Sequence, residues 1–290
     1  MNSGPLPELP DFNVPKYEDL ILSLREGTCI FIGAGISKLA GYKLWDELRK
    51  EMIDYLWTRR NSLSFDQEMC LDLSMCEELK KHEDIIEAFD YLYKIDKKLF
   101  VSGMKEIFAS DDKRVVNKIY QVLNKLNNGK NFFVTTNIAM GFQKYLGLTD
   151  ESVPIYPEFH KPLKLINYLH GRIDKEDTWI FTRAQYDNGY FKGEAPCAKF
   201  LKYIFENYNV LFIGYGLRER EIQTVISSTD KRKTHYWIEG VSRKNEDHLK
   251  IRSTSLKENY NINLIPYYID QKGHELLYEV INLLYESIKK

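Results

Sequence analysis

Cysteine is scarce in this 290-residue chain: Cys29, Cys70, Cys76 and Cys197 form no C-x-x-C pair and no regular framework. That usage excludes a disulfide scaffold, argues against a zinc site and fits a reducing compartment. Charge of one sign is lacking too. A formal net charge of −1 leaves no basic excess to seek nucleic acid or a membrane surface. No apolar run approaches the length of a bilayer span. The opening MNSGPLPELPDFNVP has no basic segment followed by an apolar one, so it is not read as a signal peptide. These absences predict a soluble, cytoplasmic, globular protein that holds no metal, contacts no membrane and binds no nucleic acid directly. Its length suits one large domain, or a domain with a sizeable insertion.

What is present centres on Thr28 to Trp45, TCIFIGAGISKLAGYKLW. Cys29 to Ile32 is a short apolar run without polar alternation, as expected of a buried parallel strand. Gly33-Ala34-Gly35 follows at once, then Ser37 and a second small step at Ala40-Gly41. A strand running into Gly-x-Gly can turn sharply and bring backbone N–H groups and the next helix dipole against a phosphate. Lys38 stands where the third glycine of the dinucleotide fingerprint would fall. Two readings stay open for this stretch, a phosphate cradle and a tight turn with no ligand.

Around it the chain alternates between two periods. Residues 1–15 hold four prolines and read as an extended arm. Tyr17 to Arg25 is a short helix ended by Gly27, and Leu44 to Trp57 is the helix behind the glycine loop. From about 61 to 128 three apolar stripes repeat at helical spacing. The first is Ile85, Ile86, Phe89, Leu92 and Tyr93, and the second Phe100, Met104, Ile107 and Phe108. The third runs from Val115 and Val116 to Leu126. This region is read as a helical module inserted into residues 16–290 and packed over the cleft. Further strand-like runs follow at Phe132 to Val134, Leu165 to Leu169, Val210 to Ile213, Tyr236 to Ile238 and Ile262 to Tyr268. Helices separate most of them, and Leu276 to Ile288 closes the chain. Strands alternating with helices predict an α/β fold with a doubly wound, Rossmann-like parallel sheet.

In such sheets ligands bind beyond the carboxyl ends of the strands. That rule gathers Gly33, Ala34, Gly35, Ser37, Asn137, His170, Gly214 and Gly216 into one cleft. Asn137 can donate and accept together, which suits ribose hydroxyls or a water, although it can equally cap a helix. His170 is the strand-end group that titrates near neutrality, a general base or a turn residue before Gly171. His82, His160, His235, His248 and His274 are placed on helices or loops without metal-ligand spacing. Asp174 to Asp177 reads as a charged loop. Arg218-Glu219-Arg220-Glu221 opens a helix, where Glu219 favours the dipole and Arg218 and Arg220 serve surface pairs or reach a phosphate.

These residues also carry a resemblance. GAGIS at Gly33 to Ser37, TTN at Thr135 to Asn137, LHG at Leu169 to Gly171 and FIGYGL at Phe212 to Leu217 resemble, in order, four motifs of the sirtuin family. IFTRAQY, Ile180 to Tyr186, is similar to a segment of bacterial defence-associated sirtuins. The cysteine pairs of the zinc-binding deacylases are missing, so the resemblance is to the zinc-free branch that hydrolyses NAD in antiphage immunity. It implies NAD as substrate. Gly33, Ala34, Gly35, Ser37, Thr136, Gly214 and Gly216 would contact the dinucleotide, with Asn137 and His170 catalytic. One position departs: Ala139 stands where the family pattern Thr-Thr-Asn-x-Asp has the aspartate that helps hold the nicotinamide end.

Two expectations therefore stand. One is an NAD glycohydrolase acting in abortive infection, with Ala139 leaving its activity in this chain an open question; the other is a module that binds NAD or ADP-ribose without turning it over. The resemblance further implies a defence partner, an ATPase or Argonaute-like subunit, or a fused sensor domain. The proline-rich arm and the aromatics Tyr267, Tyr268 and Tyr278, which can equally complete the core, lead to the expectation of a homo-oligomer in which the helical insertion gates the cleft.

Overall fold

The computed structural model describes residues 9–64, 71–112, 117–149, 164–217, 219–230 and 233–290. The start of the arm, Cys70, Val115, Val116, His160 and Arg218 lie outside the described residues.

After α1 (Glu18–Glu26), which stops at Gly27, the first strand β1 (Cys29–Ile32) is buried at every position. The helices that follow are α2 (Ala34–Ala40), α3 (Trp45–Thr58), α4 (Leu73–Lys81), α5 (Ile85–Ile95), α6 (Lys97–Asp112) and α7 (Lys118–Asn124). Only then comes β2 (Phe132–Thr135), followed by α8 (Gly141–Tyr145) and β3 (Ile166–Tyr168). The second half runs α9 (Arg183–Tyr190), α10 (Pro196–Asn207), β4 (Val210–Ile213), α11 (Arg220–Ser227) and β5 (His235–Val241). It ends with α12 (Glu246–Tyr260), β6 (Ile262–Tyr268) and α13 (Leu276–Lys289).

The six strands form one parallel sheet in the order β3-β2-β1-β4-β5-β6. This is a Rossmann-like α/β fold, as the alternating periods predict. Helices cover both faces, which is why the central strands have no polar alternation. Side chains of β1 show the division: Ile30 and Ile32 enter the core beneath α1, α3 and α13, while Cys29 and Phe31 enter the one beneath α9, α10 and α11. Strand order reverses between β1 and β4, so the chain leaves the sheet in opposite directions there and opens a crevice at their carboxyl ends.

Two local expectations are corrected. His235 is neither helical nor in a loop but opens β5, where its Nδ1 accepts from the backbone N–H of Val210 at 3.2 Å. Tyr267 and Tyr268 lie in β6 and are buried within this chain, so they complete the core.

Candidate active site

Sheet register sets the site. Ile32 pairs with Thr135 on one side and Ile213 on the other, and Thr135 pairs in turn with Tyr168. Two residues beyond this row stand Ala34, Asn137, His170 and Tyr215. Four separate strand ends thus deliver their side chains at one level, beside the switch point.

The two glycine turns are packed against each other. Gly35 N–H donates to the Gly214 carbonyl at 2.8 Å, and Gly33 N–H donates to Ile213 at 3.1 Å. A Cβ on Gly33 would sit 2.6 Å from Tyr215 Cα, and one on Gly35 would sit 2.8 Å from the Gly214 oxygen. Side-chain absence at these positions is therefore required by loop-on-loop packing. Gly214 itself has φ +61, a left-handed conformation that L side chains rarely adopt.

Asn137 binds the first of these turns. Its Nδ2 donates to the Gly33 carbonyl at 2.8 Å, and its N–H donates to Thr135 Oγ1, which donates to the Ile32 carbonyl at 3.0 Å. It is not a helix cap, since Met140 occupies that position before α8. Asn137 lines a small cavity of about 30 Å³ together with Ala34, Ser37, Thr136 and Ala139. Lys43, Trp45, Phe108 and Phe181 also line it. Ligand pockets for molecules of drug size hold about 300–1,000 Å³. A dinucleotide therefore requires this cleft to open. The cover belongs to the helices between β1 and β2: Trp45 of α3, Phe89 of α5 and Phe181 pack mutually at 5.1–5.6 Å. Asp84 pairs with Arg183 at 2.7 Å, and Lys105 with Glu176 at 3.0 Å.

His170 does not line this cavity. It is wholly buried on the other side of the strand ends, its ring set edge-on to Tyr186 and Tyr190 of α9. Nε2 lies 2.7 Å from Tyr190 Oη, whereas Nδ1 has no hydrogen-bond partner. Burial pulls the imidazole down to about 3, so it is neutral at physiological pH. The adjoining turn is held by Arg172, also wholly buried. Its guanidinium grips Asp174 through two bonds at 2.5–2.6 Å and reaches Gln143 Oε1 at 3.2 Å. Asp174 is thus a partner of a buried arginine, not simply part of a charged loop. Gly171, at φ +81, passes so close to Thr178 that a Cβ would fall 2.1 Å from its carbonyl oxygen.

Glu219 corrects a second expectation. It occupies the cap position of α11, but its side chain makes no cap hydrogen bond. The carboxyl is turned inward instead, with Oε2 3.9 Å from His170 Nε2 and without a hydrogen-bond partner. Burial, with a smaller push from Glu221 and against the pull of the nearby Tyr215 hydroxyl, raises it to about 8. A largely protonated carboxyl contributes little to the helix dipole. Although 23% of the whole side chain is exposed, Oε2 itself is buried, and that atom faces the imidazole.

Sequence reasoning missed Glu219, Tyr190 and Lys43. Tyr186 and Tyr190, four apart on α9, were legible as one helix face, but nothing local aims that face at His170. Among the described residues, no group of three or more His, Cys, Asp or Glu side chains could hold a metal ion, and no helix is long and apolar enough to cross a membrane.

Residues 131–265 match the family model described as SIR2-like domain. The match runs from the residue before β2 into β6 and contains Asn137, His170, Gly214 and Glu219, leaving β1 and its glycine loop outside. The match covers just under half of the chain; it supports a sirtuin-like character for that stretch and suggests an NAD-related function. No curated protein matches the chain.

Proposed function

We propose that the chain is an NAD glycohydrolase of the zinc-free sirtuin branch, cleaving NAD to nicotinamide and ADP-ribose, with NAD depletion as its role in antiphage defence. The observation that carries this reading is the register row, which sets Asn137 and His170 at the ends of neighbouring strands inside the stretch that matches a SIR2-like domain. In the reaction the bond from C1′ to the nicotinamide nitrogen breaks, and its electron pair neutralises the pyridinium. Water adds at C1′ and loses a proton. Asn137 orients the ribose or the water, and His170 takes the proton. Gly33, Ala34, Gly35, Ser37, Thr136, Gly214 and Gly216 line the dinucleotide path, and the residue at Ala139 adjoins the nicotinamide end. For this to happen the cover over the cavity must lift and the Tyr186 and Tyr190 rings must move off His170, which suits an enzyme silent until assembly or a trigger opens it. The proposal includes a cytoplasmic homo-oligomer and a defence partner, an ATPase or Argonaute-like subunit or a fused sensor.

Nicotinamide release from NAD by the full chain and by Ala139→Asp tests the reading. Turnover by the Asp variant that disappears on adding His170→Ala supports it. Intact NAD with both proteins, in the presence of the native partner, overturns it. Ala139 favours a second reading, a module that binds NAD or ADP-ribose without turnover. Calorimetric binding of NAD with no product from either protein selects that one.

A further inference from the structure

Three buried polar groups lie together behind the strand ends: His170 Nδ1 and Glu219 Oε2, neither with a hydrogen-bond partner, and the Tyr215 hydroxyl, which interacts with the Glu219 carboxyl. Native interiors seldom leave buried polar atoms unmet. Their chemistry is complementary, being one base, one acid and one phenol. The imidazole is wholly buried, and Glu219 is the carboxyl that approaches it, Oε2 to Nε2 at 3.9 Å. Its side chain has left the helix-cap role open to it and turned inward to make this approach.

From this geometry we propose that Glu219 is the positioning residue of His170, the carboxylate that lets a wholly buried imidazole accept a proton. The inference rests on the glycohydrolase reading for what the proton transfer achieves, but not for the coupling itself. In the tautomer whose Nε2–H donates to Tyr190 Oη, Nδ1 keeps its lone pair and is the nitrogen left to act. As the substrate hydroxyl or water gives up its proton, the O–H bond breaks, Nδ1–H forms, and the electron pair stays on oxygen. The imidazolium is then balanced by the Glu219 carboxylate across Nε2. Without that carboxylate, burial alone leaves His170 a poor base.

The other groups around the pair do not replace it. Tyr186 and Tyr190 from α9 and Tyr215 from the β4 turn are phenols that burial pushes far above their usual range, and burial likewise raises the Cys197 thiol of α10. Glu221 of α11 adds negative charge that helps Glu219 keep its proton. At neutral pH Glu219 is therefore mostly protonated, and the dyad is armed only as it ionises around pH 8.

The test uses the full chain with isotope-labelled histidine, the His170 ring signal being assigned by its loss in His170→Gln. Wild-type protein is expected to show a single step in that signal with a midpoint near pH 8. Glu219→Gln removes the step while the ring stays neutral. A wild-type signal that is flat between pH 6.5 and 9.5 overturns the proposal, and this holds even if the Gln variant fails to fold. A step of the same midpoint in folded Glu219→Gln also overturns it. Under turnover, kcat should rise through the same midpoint, and Glu219→Gln should lower it about 100-fold with KM little changed, a general-base-sized loss. No NAD loss from any variant counts against the glycohydrolase reading and leaves the ring titration to decide the coupling. NAD loss untouched by Glu219→Gln overturns the coupling while the glycohydrolase reading stands.

Discussion

The ammonium of Lys43, which lines the cavity, lies 2.5 Å from Oδ1 of Asp111 and joins the loop after α2 to the last turn of α6. Asp111 is almost wholly buried and its second oxygen has no hydrogen-bond partner, whereas Lys43 also reaches Glu51 at 3.0 Å. Burial is the largest single influence on Lys43 and pulls it down. Asp111 and Glu51 together outweigh that influence and raise it above the usual lysine range. The pair is expected to latch α6 to the loop that lines the cavity. Asp111→Asn should lower the free energy of unfolding in urea by about 1–3 kcal/mol, less than an isolated buried pair because Glu51 remains. Amide exchange in α6 should quicken with it. Unchanged exchange there would remove the latch role.

Gly33→Ala brings a methyl to 2.6 Å from the Tyr215 backbone. Backbone cannot swing aside as a side-chain tip can, so the two glycine turns must separate. A loss of about 1–3 kcal/mol is expected from overpacking. Calorimetry should show NAD affinity falling further than stability does, because Asn137 is bonded to the same turn. A variant as stable as wild type would contradict the packing role.

Arg172→Lys should behave almost as badly as Arg172→Ala. A lysine cannot make the two-pronged grip on Asp174 and reach Gln143 as well. A loss of about 3–5 kcal/mol for Arg172→Ala follows from leaving buried partners unmatched. Thermal unfolding of both variants checks this, and full rescue by lysine would refute it.

Stability should peak near pH 6.5. His170 and His235 are both held down to about 3 by burial, so the unfolded chain binds more protons than the native one below about 6.5. Their contribution is intact above that value and is lost as pH falls towards 3. Glu219 acts in the opposite sense. Its raised pKa gives stability that is full below about 4.5 and lost as pH rises through 8. Between 4.5 and 6.5 two histidines oppose one glutamate, so stability rises with pH; above 6.5 Glu219 alone acts, and it declines. Each group contributes a slope of about 1.4 kcal/mol per pH unit within its window. Urea titrations at pH 5, 6.5 and 8 measure it, and Glu219→Gln should flatten the alkaline limb.

The sheet was legible because its strands are buried on both faces and read as uninterrupted apolar runs such as CIFI and VLFI. Its order was not, since nothing local tells β4 to pair with β1. The strand-end rule found Asn137 and His170 correctly at one level, yet it implied a single cleft. The structure puts Asn137 on the cavity and His170 behind it, because the two rings of α9 come between His170 and solvent. Glu219 was misread for a similar reason. Its place at a helix start is a local signal, and the inward turn of its side chain answers to burial by α9 and the β4 turn.

Strand β1 is made first yet ends up between β2 and β4. Ile32 waits 103 residues for the Thr135 hydroxyl that bonds to its carbonyl, and about 180 for its partner Ile213. At a synthesis rate of about 5–20 residues per second, that is roughly 5–20 s before one edge is covered and 10–35 s before the other. Through that time CIFI is an apolar template with its edges unpaired, and what can shelter it is α1, made just before it, together with the helices that follow. The helices between β1 and β2 therefore serve the nascent chain before they serve the cavity.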